Sequence, residues 1–309
     1  MTYVSEEIAS QPGCWAAAAT LAATTAGALP APGDRVAVVG CGTSYHMGEA
    51  YARLREASGQ GLTDAMPASE LRSHRQYDRW LFLSRSGTTT EVLQAMEQVP
   101  KATPSTAIVG DASSPVATKA DVPIVLDFAN ERSIVQTRFA TSLLVLLRAH
   151  LGQDVTGVIN DGRRALAGPL PEGVLRAKRF TFLGRSWTIG LALEAALKLR
   201  EAAQVATEAY PAMEFRHGPI SVIDAESVVW SLGGPDAPDL ASDLAPTGAS
   251  LVVARLDPLA ELVRVQRVAV ELATARHLDP DHPRNLSFSV ILGAAGQSRA
   301  AEAGNEISR

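Results

Sequence analysis

Three ionisable residues in the second half of the chain share one face of a predicted helix. A strand-like apolar run over residues 179–184 is followed by a helical pattern over 188–203. Within that pattern Glu194, Lys198 and Glu201 stand at i, i+4 and i+7, so two carboxylates and an amine project from one face. Acid–base catalysis needs such groups held together on a rigid element. The alternative is a solvated stripe of salt bridges, since Glu–Lys pairs at this spacing are common helix supports.

A second candidate site is the stretch SRSGTT, residues 84–89, between a strand-like run and a predicted helix start. Backbone N–H groups and the helix dipole favour an anion at such a position, and Gly87 lets the backbone approach a ligand closely. Arg85 adds positive charge unless it points to solvent. An ordinary helix cap is the alternative, but a cap needs one hydroxyl and this stretch offers four. We therefore expect a phosphate site whose ligands are Ser84, Arg85, Ser86 and Thr89.

The corresponding loop of the second half is a weaker anion site. Residues 231–236, SLGGPD, carry one hydroxyl, a proline and an acidic side chain. We therefore expect one phosphate pocket per chain, formed by the first half.

Strand-like runs alternate with helical patterns, which is typical of an α/β fold with parallel strands. The predicted strands are 35–40, 80–84, 106–110, 123–126, 179–184, 228–232 and 250–254. The predicted helices are 45–57, 89–99, 133–151, 188–203 and 258–276, with 154–173 as a linker containing a short helix. Because the pattern restarts after this linker, we expect two domains, residues 1–155 and 156–309. Residues 293–309 are small and polar and predict a frayed tail.

Composition and charge exclude several classes of partner. The net charge is -5 and no basic block is present, so neither nucleic acid nor an anionic lipid surface is expected to bind. No apolar run approaches the roughly 20 residues that span a membrane, and the N-terminus does not have the pattern of a signal peptide. Cys14 and Cys41 lack the spacing of a metal site, so we expect a cytoplasmic protein without a metal or other cofactor.

Several blocks of the sequence resemble the sugar isomerase (SIS) family. They are the segment 178–219, with its ALE-x-ALKL-x-E and HGP signatures, GCGTSY at 40–45, SRSGTT at 84–89 and DHPRNL at 281–286. Within this family the isomerase half of the glutamine–fructose-6-phosphate aminotransferases is most similar. The resemblance runs through both halves of the chain with all blocks in order. It implies two doubly wound parallel-sheet SIS modules with helices on both faces.

The resemblance also implies roles for the acid–base residues. Glu201 matches the glutamate that moves a proton between C1 and C2 of a hexose 6-phosphate. Glu194 and Lys198 match two residues that shape the site. His217 matches a histidine that reaches in from the partner subunit and helps to open the sugar ring, so a homodimer with a shared site is expected.

Four hydroxyl residues complete the expected substrate pocket. By resemblance, Thr43 and Ser44 bind the sugar phosphate, and Ser133 and Thr137 within ERSIVQTRF line the sugar pocket. The alternative for the last two is structural, because a hydroxyl on a helix often bonds only the backbone.

One departure from the aminotransferases concerns the reaction. Their C-terminal loop carries a lysine that opens the ketose ring and forms a Schiff base, and Phe288 stands at that place here. A phenylalanine cannot form an imine, so transamination is not expected. A glutaminase module is also lacking from this sequence.

The sequence therefore predicts an enzyme that removes the C2 proton of an amino-sugar 6-phosphate. Three outcomes stay open, namely aldose–ketose isomerisation, deamination of a free amine at C2, and loss of the C3 hydroxyl from an N-acetyl sugar. The absence of the lysine disfavours deamination most, and Phe288 could pack against an acetyl methyl group. A phosphosugar sensor without catalysis is the alternative from another class of protein.

Overall fold

The computed structural model describes residues 2–233 and 239–292, and the predicted tail at 293–309 lies outside the described residues. Its strands are β1 Val36–Gly40, β2 Thr63–Pro67, β3 Arg79–Ser84, β4 Ser105–Val109, β5 Val122–Val125, β6 Arg179–Gly184, β7 Ala206–Pro211, β8 Ser227–Ser231 and β9 Ser250–Val253. They form two parallel sheets, with the orders β2-β1-β3-β4-β5 and β7-β6-β8-β9. The first five strands lie in one sheet and the last four in the other.

Nine α-helices accompany these strands within the described residues. They are α1 Tyr3–Thr25, α2 Thr43–Ala57, α3 Thr90–Gln98, α4 Pro115–Lys119, α5 Arg138–His150, α6 Thr156–Ala167, α7 Thr188–Ala203, α8 Leu240–Leu244 and α9 Pro258–Ala275. Short 3₁₀ turns connect several of them. None of the described helices combines the length and the apolar character needed to cross a lipid bilayer.

Both faces of each sheet are covered. Val38 on β1 packs in one apolar cluster while its neighbour Val39 packs in another, because successive side chains of a strand point to opposite faces. On β6 the same alternation separates Phe182 from Leu183. The cluster that holds Val38 also holds Phe182, so the two sheets share a core. The expected doubly wound α/β fold is confirmed.

The sequence analysis missed two strands, β2 and β7, and three helices, α1, α4 and α8. The strands β2 and β7 were missed because both lie at sheet edges, where half-exposed polar residues replace a continuous apolar run. The expected linker contains a twelve-residue helix, α6, whose Gly162 packs against Trp15. A Cβ at Gly162 would lie 2.4 Å from the Trp15 ring, so this segment belongs to the core rather than to a linker.

A close crossing of α2 and α7 positions the acid–base residues. A Cβ added to Gly190 would lie 2.5 Å from the His46 carbonyl oxygen and 2.8 Å from the Ala50 nitrogen. Only glycine permits this approach. One turn further along α7, Glu194 therefore faces the first turn of α2.

Candidate active site

A cleft of about 180 Å³ opens at the carboxyl ends of β1 and β3. The strand order reverses between them, because β2 lies on one side of β1 while β3, β4 and β5 follow on the other. Ligands of open α/β sheets bind at such a switch point. The cleft is lined by residues 41–44, residues 83–86, Thr89, residues 134 and 136, Glu201 and the C-terminal segment 286–290. It therefore brings together parts of the chain that are far apart in sequence.

The acid–base residues form one buried hydrogen-bonded cluster between α2 and α7. The Lys198 Nζ lies 3.3 Å from Glu194 Oε1 and 2.5 Å from Glu201 Oε2. It also donates to the Thr43 hydroxyl at 3.1 Å, and that hydroxyl donates to Glu194 Oε1 at 3.1 Å. The second oxygen of Glu194, Oε2, lies 3.1 Å from His46 Nδ1. The ammonium of Lys198 thus donates to two acceptors of this chain and forms an ion pair with a third group, Glu194.

This cluster is not the solvated stripe that the spacing alone would allow. The side chains of Glu194 and Lys198 are 0% and 1% exposed, whereas that of Glu201 is 17% exposed and lines the cleft. Burial raises the pKa of Glu194, but Lys198 and then His46 outweigh it, and the net pKa lies below its usual value. Burial lowers the pKa of Lys198, but the two carboxylates outweigh it and the net pKa is raised. Both members of the buried pair are therefore charged.

The hydroxyls of the loop 84–89 organise its own backbone. The Ser84 hydroxyl accepts a hydrogen bond from the Gly87 N–H at 3.1 Å, and Ser86 accepts from the Thr88 N–H at 3.2 Å. Gly87 has a φ of +62°, and a Cβ there would lie 2.0 Å from the Ser114 hydroxyl. Glycine is therefore required at this turn.

Arg85 neither points to solvent nor stands free in the loop. Its guanidinium donates to the carbonyls of Ser133 at 2.9 Å, Ile134 at 3.2 Å and Phe288 at 2.8 Å, and it lies 3.7 Å from the Glu131 carboxylate. It also lies 3.8 Å from the centre of the Phe288 ring, a cation–π contact. Arg85 lines the cleft, but most of its donors hold three segments of the chain together.

The C-terminal segment 286–292 covers the loop 84–89. The Ser289 hydroxyl lies 3.1 Å from that of Ser86 and 3.4 Å from that of Thr89. The Thr90 N–H, at the start of α3, donates to the Val290 carbonyl at 3.1 Å. Polar atoms of this segment therefore meet the expected phosphate donors.

Ser133 and Thr137 do not line the cleft, which corrects the expectation. The predicted helix over 133–151 begins only at residue 138, because Glu131 accepts hydrogen bonds from the Thr137 and Arg138 N–H groups at 2.5 and 2.8 Å. The Thr137 hydroxyl donates to Glu131 and the Ser133 hydroxyl donates to Glu7. Both hydroxyls are buried away from the cleft.

Ile134 and Gln136 line the cleft in their place. Gln136 Oε1 is buried and has no hydrogen-bond partner among the described residues. Burial alternates along this segment, as in an extended strand. Reading residues 133–137 as extended rather than helical would have identified these two residues.

Three further residues have distinct placements. Ser44 lines the cleft beside Thr43, as expected. His217 is exposed at the end of the 3₁₀ turn Glu214–His217 and does not line the cleft of its own chain. Cys41 also lines the cleft, but burial raises the pKa of its thiol to about 11, so it is a poor nucleophile. Within the described residues, no His, Cys, Asp or Glu side chains group in threes as a metal ion would need.

Comparison with known proteins shows which proteins this chain resembles. Residues 31–149 match the model of the SIS domain. The chain is 27% identical to glutamine–fructose-6-phosphate aminotransferase of Sulfolobus acidocaldarius over 295 residues, which cover 84% of this chain and 50% of that protein. The corresponding enzyme of Caulobacter vibrioides is 27% identical, with 94% of this chain and 59% of that protein covered. The chain spans about half the length of the curated relatives it matches.

Solved structures extend the likeness over both sheets. Glucosamine-6-phosphate deaminase of Thermotoga maritima superimposes with a TM-score of 0.78 at 25% identity, covering 94% of this chain and all of that one. Tagatose-6-phosphate ketose/aldose isomerase of Escherichia coli gives 0.77 at 21% identity and shares the fold, covering 92% of this chain and 97% of that one. The resemblance to the SIS family is therefore confirmed.

Proposed function

We propose that this chain, whose residues 31–149 match the SIS domain, is an enzyme that removes the C2 proton of an amino-sugar 6-phosphate. One observation carries the proposal: the Glu201 carboxylate lines the same cleft as the loop 84–89 and is held there by Lys198. A carboxylate positioned in this way acts as a general base next to a sugar carbonyl. The names of the aminotransferase and deaminase relatives support an amino sugar as substrate.

Glu201 and Lys198 have different tasks in this mechanism. Glu201 takes the C2 proton of the open-chain sugar and returns it at C1 or to a leaving group. The buried Lys198 ammonium donates to Thr43 and Glu201 and lies 3.3 Å from Glu194 Oε1, so it positions the base instead of donating to the substrate.

The phosphate group binds at the loop 84–89. The Ser86 and Thr89 hydroxyls, which now meet Ser289, turn to the phosphate oxygens together with the N–H groups at the start of α3. The C-terminal segment must shift slightly to admit the anion, because the Thr90 N–H already donates a hydrogen bond to the Val290 carbonyl. Thr43 takes part in the site by accepting a hydrogen bond from Lys198, and Ser44 lines the cleft.

The product follows from what the cleft supplies. Among its described lining residues there is no lysine, so the open-chain ketose finds no amine with which to form an imine. Isomerisation therefore needs only the base, which moves the proton from C2 to C1. An N-acetyl sugar can instead lose its C3 hydroxyl as water from the acetamido enol that the same proton abstraction forms. His217 completes the site from the partner subunit in a homodimer.

Deamination is the second candidate, favoured by the full-length likeness to the Thermotoga maritima deaminase. A free amine at C2 makes the proton abstraction yield an enamine. Protonation at C1 turns this enamine into an imine at C2, and water releases ammonia and leaves the ketose. This route requires no lysine, so the expectation that the absence of the lysine disfavours deamination most does not apply to it.

Proton NMR in D₂O with glucosamine, galactosamine and their N-acetyl 6-phosphates tests the proposal. Exchange at C2 supports the base, and the final product separates the routes: an isomer that keeps its nitrogen as an imine at C2, ammonia with a ketose, or an unsaturated sugar. Binding of all four sugars without exchange or product would contradict the proposal and favour a phosphosugar sensor.

A further inference from the structure

Glu194 is held by a residue that the proposed mechanism has not used. Its Oε1 faces Lys198 and Thr43, and its Oε2 lies 3.1 Å from His46 Nδ1. Glu194 is fully buried and ionised, since its pKa lies below its usual value despite burial. An ionised carboxylate only accepts hydrogen bonds, so the Nδ1 of His46 must carry the proton.

The crossing of α2 and α7 fixes this contact. Gly190 brings the two helix backbones together at the His46 carbonyl, so His46 cannot move away from α7 without opening the crossing. The His46 side chain is 13% exposed, in contrast to the fully buried Glu194. His46 therefore closes the outer side of the cluster, and Glu201 closes the side that faces the cleft.

The contacts from His46 through Glu194 and Lys198 to Glu201 depend on one another. Lys198 is shared between two carboxylates, so any change in the charge or position of Glu194 alters the hold of Lys198 on Glu201. Without a donor, the buried Glu194 Oε2 is left unsatisfied, which strongly disfavours the ionised form. Glu194 then takes up a proton or turns its second oxygen to Lys198. In either case the position of Lys198 relative to Glu201 changes.

We propose that His46 is a positioning residue for the general base. By donating its Nδ1–H to Glu194, it keeps Glu194 ionised and aligned on Lys198, and Lys198 in turn holds Glu201 at the cleft. This inference rests on the proposed function, because the positioned group is the proposed base. His46 itself does not line the cleft and needs no contact with the substrate.

Two substitutions separate the hydrogen bond from the volume of the side chain. His46→Leu removes the donor, and kcat for C2 exchange should fall by about 10–100-fold with KM nearly unchanged, as expected for a displaced reacting group. His46→Asn presents an amide N–H close to the place of Nδ1–H and should recover most of that loss. Thermal unfolding of each variant checks that the fold is retained.

His150 provides a matched control. It is a half-buried histidine on α5 whose Nε2 lies 3.0 Å from the Pro30 carbonyl, and it does not line the cleft. His150→Leu should leave kcat for exchange at the wild-type value. A folded His46→Leu variant with the same kcat as His150→Leu would overturn the inference, and so would a His46→Asn variant as slow as His46→Leu.

A measurement without substrate keeps this inference separate from the proposed function. Nitrogen-15 NMR of histidine-labelled protein in mildly alkaline buffer, with His46 assigned through His46→Asn, reports which ring nitrogen is protonated. We expect a protonated Nδ1, and a bare Nδ1 would overturn the inference whatever the sugar assays give. If no sugar exchanges, the proposed function fails while this experiment still decides whether His46 donates to Glu194.

Discussion

The two ends of the cleft are built on different principles. The base end consists of Thr43, His46, Glu194, Lys198 and Glu201, and the phosphate end consists of residues 84–89 and 286–292. At the base end, side chains of two packed helices bond to each other, and the ammonium lies between Thr43, Glu194 and Glu201. At the phosphate end, loop hydroxyls bond to their own backbone and to a partly exposed segment. The base end is thus preorganised, whereas the phosphate end can rearrange.

This difference predicts where substitutions act. A change at the base end should alter kcat and the free energy of unfolding, because the groups are buried and share one cluster. A change at the phosphate end should alter substrate affinity, because its hydroxyls can exchange Ser289 for a phosphate group.

Glu201→Gln should have the largest effect on activity. Glutamine keeps the shape of the side chain and removes the base, and a positioned general base contributes about 10²–10⁴-fold in rate. We expect C2 exchange to disappear while calorimetry still detects phosphosugar binding. Glu172→Gln, at an exposed glutamate away from the cleft, is the control. Exchange that persists undiminished in Glu201→Gln would remove this residue as the base.

Lys198→Met should have the largest effect on stability. It leaves buried Glu194 beside Glu201 without the cation between them, and breaking a buried ion pair costs about 3–5 kcal/mol of unfolding free energy. Denaturant unfolding at neutral pH measures this loss. A variant as stable as the wild type would show that the base end is not the preorganised region described here.

The pH dependence of this loss has a definite sign. In the wild type the pKa of Glu194 is lowered, so its contribution to stability is present above the unfolded pKa and lost as pH falls through the folded one. In Lys198→Met the cation that lowers the pKa of Glu194 is gone. Burial then disfavours the charged carboxylate, so Glu194 prefers the neutral form. The difference in stability between the two proteins should therefore shrink below about pH 4. A difference that grows in acid would contradict this account.

The sequence predicted the base end better than its surroundings. Helical spacing was sufficient to place Glu194, Lys198 and Glu201 on one face of α7. Burial of that face depends on the crossing at Gly190, which no local pattern encodes. His46 was overlooked for the same reason, because its partner is 148 positions away.

At the phosphate end, the sequence predicted the loop but not the partners of its side chains. The loop 84–89 was identified from its hydroxyls, but the partners of Arg85 come from residues 131–134 and Phe288. These long-range contacts of Arg85 leave no mark in its own segment, so the sequence could not predict them. The start of α5 was misplaced because the Glu131 side chain, rather than a propensity signal, ends the extended segment.

Replacing both Ser86 and Thr89 with alanine should weaken substrate binding far more than folding. Each lost hydrogen bond to a charged phosphate is worth roughly 1.5–3 kcal/mol. Calorimetric titration with a hexosamine 6-phosphate measures the loss, and Thr118→Ala on α4 is the control, since its hydroxyl bonds only to backbone carbonyls. Unchanged affinity in a folded double variant would remove this loop as the phosphate site.

Mixing two inactive variants tests whether the base end is completed by a partner subunit. His217 is exposed and lies outside the cleft of its own chain. If it works in the partner's site, mixed dimers of Glu201→Gln and His217→Ala chains carry one intact site and regain part of the activity. No recovery after verified subunit exchange would count against a shared site.

Phe288→Lys should have the smallest effect, because it changes the segment that covers the phosphate end and leaves the base end intact. It replaces the ring that packs on Arg85 with a second positive charge, so the segment should hold Arg85 less tightly. The new amine also stands near the cleft, where it can form an imine with a ketose. We expect the variant to shift the product balance towards the ketose without becoming an aminotransferase, and Phe288→Leu is the control for loss of the ring alone. Product analysis by NMR distinguishes the two, and an identical balance in both variants would show that the amine does not reach the carbonyl.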